Sequence, residues 1–178
     1  MRKIDTKAFQ TCFISWVQSV SDATPGDVVA IDGKTLRRSH NRKNGVPAIH
    51  MVSAWSSENG LVLGQEKTAE KSNEITAIPQ LLDVLELKGC IVTIDAMGCQ
   101  TAIAEKIIQK KADYVLALKG NQGKLHSGVS DFFNIALAEN FKGVVHDYYK
   151  EDNVGHGRIE CRECWAITPR ADNFPALK

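Results

Sequence analysis

VVAIDG at residues 28–33 and GCIVTID at residues 89–95 share one construction: an apolar, β-branched run that ends on an aspartate. Val28, Val29 and Ile31 lead to Asp32 or flank its approach, and Ile91, Val92 and Ile94 lead to Asp95, so each run reads as a buried strand. A carboxylate at the mouth of a buried strand is costly unless something compensates it, and a bound cation is the usual compensation. Two such acids, 63 residues apart, point to neighbouring strand ends that share divalent metal ions, the core of a two-metal phosphoryl-transfer site. The competing reading makes both acids strand-end caps satisfied by nearby backbone N–H groups, with Asp32-Gly33 serving a turn.

Working outward from these runs, AIHMVSAWSS (48–57) and GLVLGQEKT (60–68) read as two more strands, and Ser57-Glu-Asn-Gly60 supplies hairpin turn chemistry between them. The period then becomes helical through Ile78, Leu81, Leu82 and Leu85, with Thr76 as the expected cap and Pro79 in the first turn. A second helix is expected over Thr101–Lys111, with Ile103, Ile107 and Ile108 inward, and ADYVLALKGNQ (112–122) reads as a strand that stops at a Gly-Asn turn. The order βββ-α-β-α-β predicts an α/β fold: a mixed five-stranded sheet of three antiparallel strands followed by βαβ crossovers, flanked by helices. In the RNase H-like version of that order, strands one and four are parallel neighbours, and their carboxyl ends bring Asp32 and Asp95 together.

At the N-terminus, Phe9, Cys12, Phe13, Trp16, Val17 and Val20 recur at helical spacing, with Asp5 or Thr6 available as the N-cap. Residues 1–24 are therefore expected to hold an amphipathic helix, ended by Pro25-Gly26, and residues 25–178 the core. Trp16 and Trp55 read as core or half-buried residues rather than base-stacking platforms. Beyond Asn121 the pattern weakens. Asp131–Phe141 reads as a short helix with Phe132, Ile135, Leu137 and Ala138 as core candidates, and KGVVHDYY and RIECRECWAI read as a C-terminal strand pair around the turn EDNVGHG.

Composition is that of an ordinary globular chain, with 43% hydrophobic and 24% charged residues, and no apolar run reaches the roughly 20 residues that span a bilayer. The start lacks the apolar stretch of a signal peptide, so a cytoplasmic location without membrane attachment is expected. Net charge is only +1, yet Lys34, Arg37, Arg38, His40, Arg42 and Lys43 crowd the segment after Asp32. Such a cluster suits phosphates beside a metal site, although a solvated turn between strands explains it equally. Five cysteines, an odd number at irregular spacing, argue against a disulfide framework, and Cys161-Arg-Glu-Cys164 with His156 lacks the second ligand pair of a zinc site.

Taken together, IDGKTLR, EKSNEITAIPQLL, TIDAMGCQ, YVLALKGNQ and HGRIE resemble, in order, the DDE transposases of insertion sequences, most closely the H-repeat-associated branch. The resemblance runs from about Phe9 to the end of the chain. It implies cutting and joining of double-stranded DNA at transposon ends by acids that hold two Mg²⁺ (or Mn²⁺) ions, with Asp32 as the first acid and Asp95 as the second. Lys34, Arg37, Arg38, Lys119 and Asn121 are candidate contacts to the DNA backbone, against a reading as ordinary surface polarity.

The sequence departs from that family in one respect that matters chemically. The family's third acid is a Glu in a motif like HW-x-(I/V)-E-N near the C-terminus, and no such motif occurs here. Glu160 in HGRIE is the candidate substitute, and His156 and Arg158 beside it order the loop or touch DNA. The expectation is the central part of a transposase core, incomplete at its C-terminus and inactive alone, whose status as an enzyme is left open. The alternatives are an RNase H-fold nuclease and a non-catalytic DNA-binding or interaction remnant. Self-association, or pairing with a full-length transposase, is expected from the apolar surface such a core exposes.

Overall fold

The computed structural model describes residues 4–20, 25–40, 45, 47–68, 74–155 and 157–168, without the side chains of Thr6, Lys7, Gln18 and Val20. Arg42, Lys43 and His156, singled out above, lie outside the described residues. Residues 1–121 form one compact unit and residues 122–178 a second.

In the first unit, helix α1 (Thr6–Val20) precedes strands β1 (Val28–Thr35), β2 (His50–Ser56) and β3 (Leu61–Thr68). Helix α2 (Glu74–Val84), strand β4 (Ile91–Ile94), helix α3 (Thr101–Gln109) and strand β5 (Asp113–Leu116) follow. The sheet order is β3-β2-β1-β4-β5. β1 runs antiparallel to β2 and β2 to β3, whereas β1 pairs with β4, and β4 with β5, in parallel. This is the mixed, RNase H-like sheet expected from the order of apolar runs.

Strand alternation decides which side of the sheet is buried. Val29 and Ile31 on β1, Val52 and Ala54 on β2 and Val92 and Ile94 on β4 are buried, and they join one core with Ala77, Ile78, Leu81 and Leu82 of α2 and Ile103 and Ile107 of α3. α2 and α3 lie on the same face, since both contribute to that one core. The opposite face is open, with Trp55 44% and Val115 60% exposed. β5 is shorter than its apolar run implied: it ends at Leu116, and Lys119 and Asn121 fall in the following loop and 3-10 turn, Gly120–Gln122.

Two helix details differ from expectation. α2 begins at Glu74 instead of after a Thr76 cap, so Pro79 sits inside it and removes the N–H that would bond to Ile75. Burial of Ala77, Ile78, Leu81 and Leu82 holds the helix against the sheet despite that loss. On α1, Asp5 is the cap, its Oδ1 accepting from the Ala8 N–H at 3.3 Å. Val17 is buried and Phe13 packs on the same core, while Phe9 and Trp16 remain exposed. The helix is also tied to β3 by the Gln10 side-chain amide, which donates to the Gln65 carbonyl at 3.3 Å.

The second unit contains helix α4 (Gly123–Ala138) and a hairpin of β6 (His146–Gly155) with β7 (Arg158–Ile167). α4 starts two turns earlier than its apolar pattern showed, because Gly123, Ser127, Gly128 and Ser130 interrupt that pattern without breaking the helix. Of its expected core residues, Ile135, Leu137 and Ala138 are exposed and Phe132 is half-buried, while Ala136, which was not among them, is buried. The segment EDNV belongs to β6, with the reversal at Gly155–Arg158. Phe141 stacks on the His146 ring at 4.4 Å, and Trp165 lies 5.2 Å from Tyr148, giving the base of the hairpin an aromatic cluster.

Candidate active site

The register of the parallel pair fixes the geometry at the strand ends. Ile31 lies opposite Ile94, so Asp32 and Asp95 are the next residues on two adjacent strands, which in a sheet are about 4.8 Å apart. Both Ile side chains point into the core, and alternation turns the two carboxylates to the open face. The two acids are thus brought together where the parallel pairing of β1 with β4 stops: Asp95 follows the last residue of β4, whereas Asp32, expected at a strand end, lies within β1, which continues beside β2 to Thr35.

Among the described residues each carboxylate has one partner, and both stay open to solvent. Asp95 caps the 3-10 turn Ala96–Gly98, its Oδ1 accepting from the Met97 N–H at 3.0 Å. Asp32 Oδ2 lies 3.5 Å from Lys34 Nζ, two residues along the same strand and on the same face. The cap role weighed for these acids is therefore real for Asp95, and it leaves the other carboxylate oxygen available. Gly98 lies close against Ile94: a Cβ there would meet Ile94 Cγ2 inside 3.0 Å.

The remaining candidates fall as follows. Arg37 and Arg38 occupy an exposed turn just past β1, with Arg38 at φ 62°, and the Ser39 hydroxyl closes it on the Leu36 carbonyl at 2.7 Å. Lys119 is exposed. Asn121 uses its side-chain Nδ2 to donate to the Ala96 carbonyl at 2.7 Å, clamping the loop after β5 onto the turn that follows Asp95. Glu160 is exposed on β7 of the second unit, where it accepts from Arg162 at 2.8 Å. Among the described residues no group of three or more His, Cys, Asp or Glu side chains is placed to hold a metal ion. The donor chemistry of the Asp32–Asp95 pair nonetheless fits a hard divalent cation, because Mg²⁺ is commonly held by one or two carboxylates with water and phosphate completing its shell.

Sequence reasoning missed a buried polar pair behind this site. His50 on β2 is 3% and Glu74 on α2 is 5% exposed, and His50 Nε2 meets Glu74 Oε1 at 2.5 Å. The other ring nitrogen, Nδ1, lies 2.9 Å from the Thr35 hydroxyl. Gly33 makes room for the pair, since a Cβ there would meet both Glu74 and His50 inside 3.0 Å. Gly33 is therefore a close-approach residue within β1 and not a turn residue. The available signal was a lone histidine at an inward position of an otherwise apolar strand.

At the other end of β1, Asp27 is buried and accepts from the Ser56 hydroxyl at 2.6 Å and the Glu58 N–H at 3.1 Å, which secures the β2–β3 turn. Burial first, and the nearby Asp27 carboxylate second, raise the Cys90 thiol above its ordinary pKa.

A sheet of this order, with paired acids just past its central parallel pairing, defines the class of RNase H-like α/β domains. Within that class, the chain belongs to the Transposase DDE domain family, whose profile matches residues 23–171. It is 54% identical over 159 residues to "Putative transposase YncI" of Escherichia coli (strain K12), covering 89% of this chain and 63% of that one. It is 46% identical over 154 residues to "H repeat-associated putative transposase YbfD" of the same strain, covering 86% and 60%. The form of YncI in Escherichia coli O157:H7 is longer, and this chain spans 40% of it. Among solved structures, a piggyBac transposase synaptic complex with hairpin DNA covers 55% of this chain and 24% of that chain at TM-score 0.39 and 16% identity, too slight a likeness to carry weight.

Proposed function

We propose that this chain supplies two metal-binding acids, Asp32 and Asp95, to a transposase core that cuts and joins DNA. The observation that carries the reading is the Ile31–Ile94 register, which sets both carboxylates side by side at one end of the sheet. A divalent ion, Mg²⁺ or Mn²⁺, supplies Lewis-acid activation of a phosphodiester and of the attacking hydroxyl when bound. The chain's own part is to hold the ion and to keep the acids in place. Asp95 is pinned through Met97 and by the Asn121 clamp, while Asp32 is carried by the central strand of the sheet.

Lys34, 3.5 Å from Asp32, would be free to meet a DNA phosphate where a cation balanced that carboxylate. Arg37 and Arg38, on the turn beyond β1, and Lys119, on the loop beyond β5, extend the basic surface along the backbone of double-stranded DNA at the transposon end. Glu160 is held by Arg162, and the pair at the strand ends is the metal-binding unit of this reading. The proposal for the isolated chain is metal and DNA binding without efficient strand transfer, because in-line displacement needs two ions held in register. Its relation to copies of itself or to a longer transposase is pairing through the open sheet face, where Trp55 and Val115 are exposed.

Calorimetric titration of Mn²⁺ into the purified chain, beside Asp32→Asn and Asp95→Asn, tests the reading. Binding lost in both variants supports a shared site. Binding indifferent to both substitutions, or no binding by the unaltered chain, sinks it.

A further inference from the structure

The five-stranded sheet ends on β3 at one edge and on β5 at the other. At the β3 edge the Gln10 amide of α1 occupies the Gln65 carbonyl. At the β5 edge no further strand pairs among the described residues, and Tyr114 and Val115 stay exposed. Backbone hydrogen bonds fix which groups point outward there. The Asp113 N–H donates to the Cys90 carbonyl at 2.9 Å, and the Ala117 N–H donates to the Ile94 carbonyl at 3.1 Å. Odd-numbered residues therefore bond inward to β4, and Tyr114 and Leu116 turn their N–H and C=O groups to the open edge. Alternation puts Asp113, Val115 and Ala117 on the open face of the sheet, and Lys119 follows two residues on. Asp113 and Lys119 are exposed, and neither has an ion-pair partner among the described residues.

We propose that this edge pairs antiparallel with the β5 edge of a second copy of the chain, about a twofold axis at Leu116. An antiparallel ladder forms only where outward-pointing residues of both strands face each other. With Leu116 opposite its own copy, Tyr114 faces Leu118 of the second copy and extends the ladder. Val115 then lies opposite Ala117, and Asp113 opposite Lys119, at the positions where cross-strand side chains approach most closely. The twofold repeats the Asp113–Lys119 pair at both ends. Charge selects this register over the next one permitted, which sets Tyr114 opposite Leu116 and brings Lys111 against Lys119.

The twofold axis of such a pair stands perpendicular to the sheet, so the open faces of both copies look the same way. Asp95 is level with Ala117, one residue beyond the axis, because Ile94 lies opposite Leu116. Three strand spacings of about 4.8 Å then separate the two Asp95 positions, roughly 15 Å across the strands. Both acid pairs are presented to one side, where a single DNA segment meets the two of them. This last consequence rests on the metal-binding reading above, whereas the pairing itself rests on the edge alone. So short a ladder buries little surface, and the association is weak and concentration-dependent.

Sedimentation equilibrium of the full chain over a wide concentration range tests the pairing, with charge reversals at the two exposed positions. The unaltered chain should show a monomer–dimer equilibrium. Asp113→Lys or Lys119→Asp sets like charges opposite each other at both ends and should weaken the dimer by roughly tenfold. The two reversals combined should restore it. A chain that stays monomeric throughout, or a dimer that neither single reversal weakens, overturns the proposal. A dimer that survives Asp113→Lys and is lost in Trp55→Ser belongs to the open face and overturns it equally. The Mn²⁺ titration does not read this equilibrium, so the metal-binding reading and the edge pairing fail separately.

Discussion

Gly33→Ala adds one methyl group at the most crowded point behind the candidate site. The backbone there is ordinary strand, so the substitution brings no strain of its own, and the stiffer unfolded chain contributes about 0.4–1 kcal/mol in its favour. Against this, the new Cβ lies inside 3.0 Å of Glu74 and His50. If both side chains stay, the overpacking costs about 1–3 kcal/mol. If Glu74 swings away, His50 Nε2 is left buried without its partner, which costs about 1–3 kcal/mol. The net expectation is a loss of about 1–2 kcal/mol, or a melting point lower by roughly 2–8 °C for a chain of this size. Urea denaturation followed by circular dichroism measures it, and a double-mutant cycle isolates the cause. In a Glu74→Ala background the two closest contacts are gone and His50 Nε2 alone stays inside 3.0 Å, so Gly33→Ala becomes much less costly. Equal losses in both backgrounds would refute the assignment of Gly33 as the residue that admits Glu74.

Other outcomes follow from single contacts. Leu81→Ala, at a position 1% exposed between α2 and the sheet, should cost about 2–5 kcal/mol in the same denaturation assay. Asn121→Ala removes the clamp on the Ala96 carbonyl and should cost about 1 kcal/mol, with weaker Mn²⁺ binding by calorimetry as the turn after Asp95 loosens. Because the folded Cys90 thiol is raised above its unfolded value, its contribution is complete below the unfolded pKa and is lost as pH rises through the folded one. Stability should therefore fall across the alkaline thiol range, and Cys90→Ala should flatten that slope in pH-dependent melts.

The sheet was legible because its strands are bounded apolar runs with little else to become. Val28 to Ile31 and Ile91 to Ile94 have the same β-branched texture, and the helical spacing of Ile78, Leu81, Leu82 and Leu85 between them leaves a parallel crossover as the simple solution. The proximity of Asp32 and Asp95 follows from the same topology. The His50–Glu74 pair was not legible, because it joins a strand to a helix start 24 residues on, and no local pattern marks a contact of that kind. Pro79 hid the true start of α2, and two glycines and two serines hid that of α4. The role of Gly33 was misassigned for a related reason: glycine after aspartate is common turn chemistry, and only the burial of Glu74 behind it shows otherwise.

The pairing of β1 with β4 also has a consequence for how the protein is made. β1, β2 and β3 are joined by local hairpin-like pairings, but the far edge of β1 stays bare until β4 emerges, roughly 60 residues after β1 is complete. At about 5–20 residues per second of synthesis, that interval lasts several seconds. Throughout it, Val29 and Ile31 sit on an unpaired strand edge, the arrangement that recruits foreign strands. Ribosome pausing between residues 35 and 91 should therefore lower the yield of soluble protein far more than pausing after residue 116, when the sheet is closed.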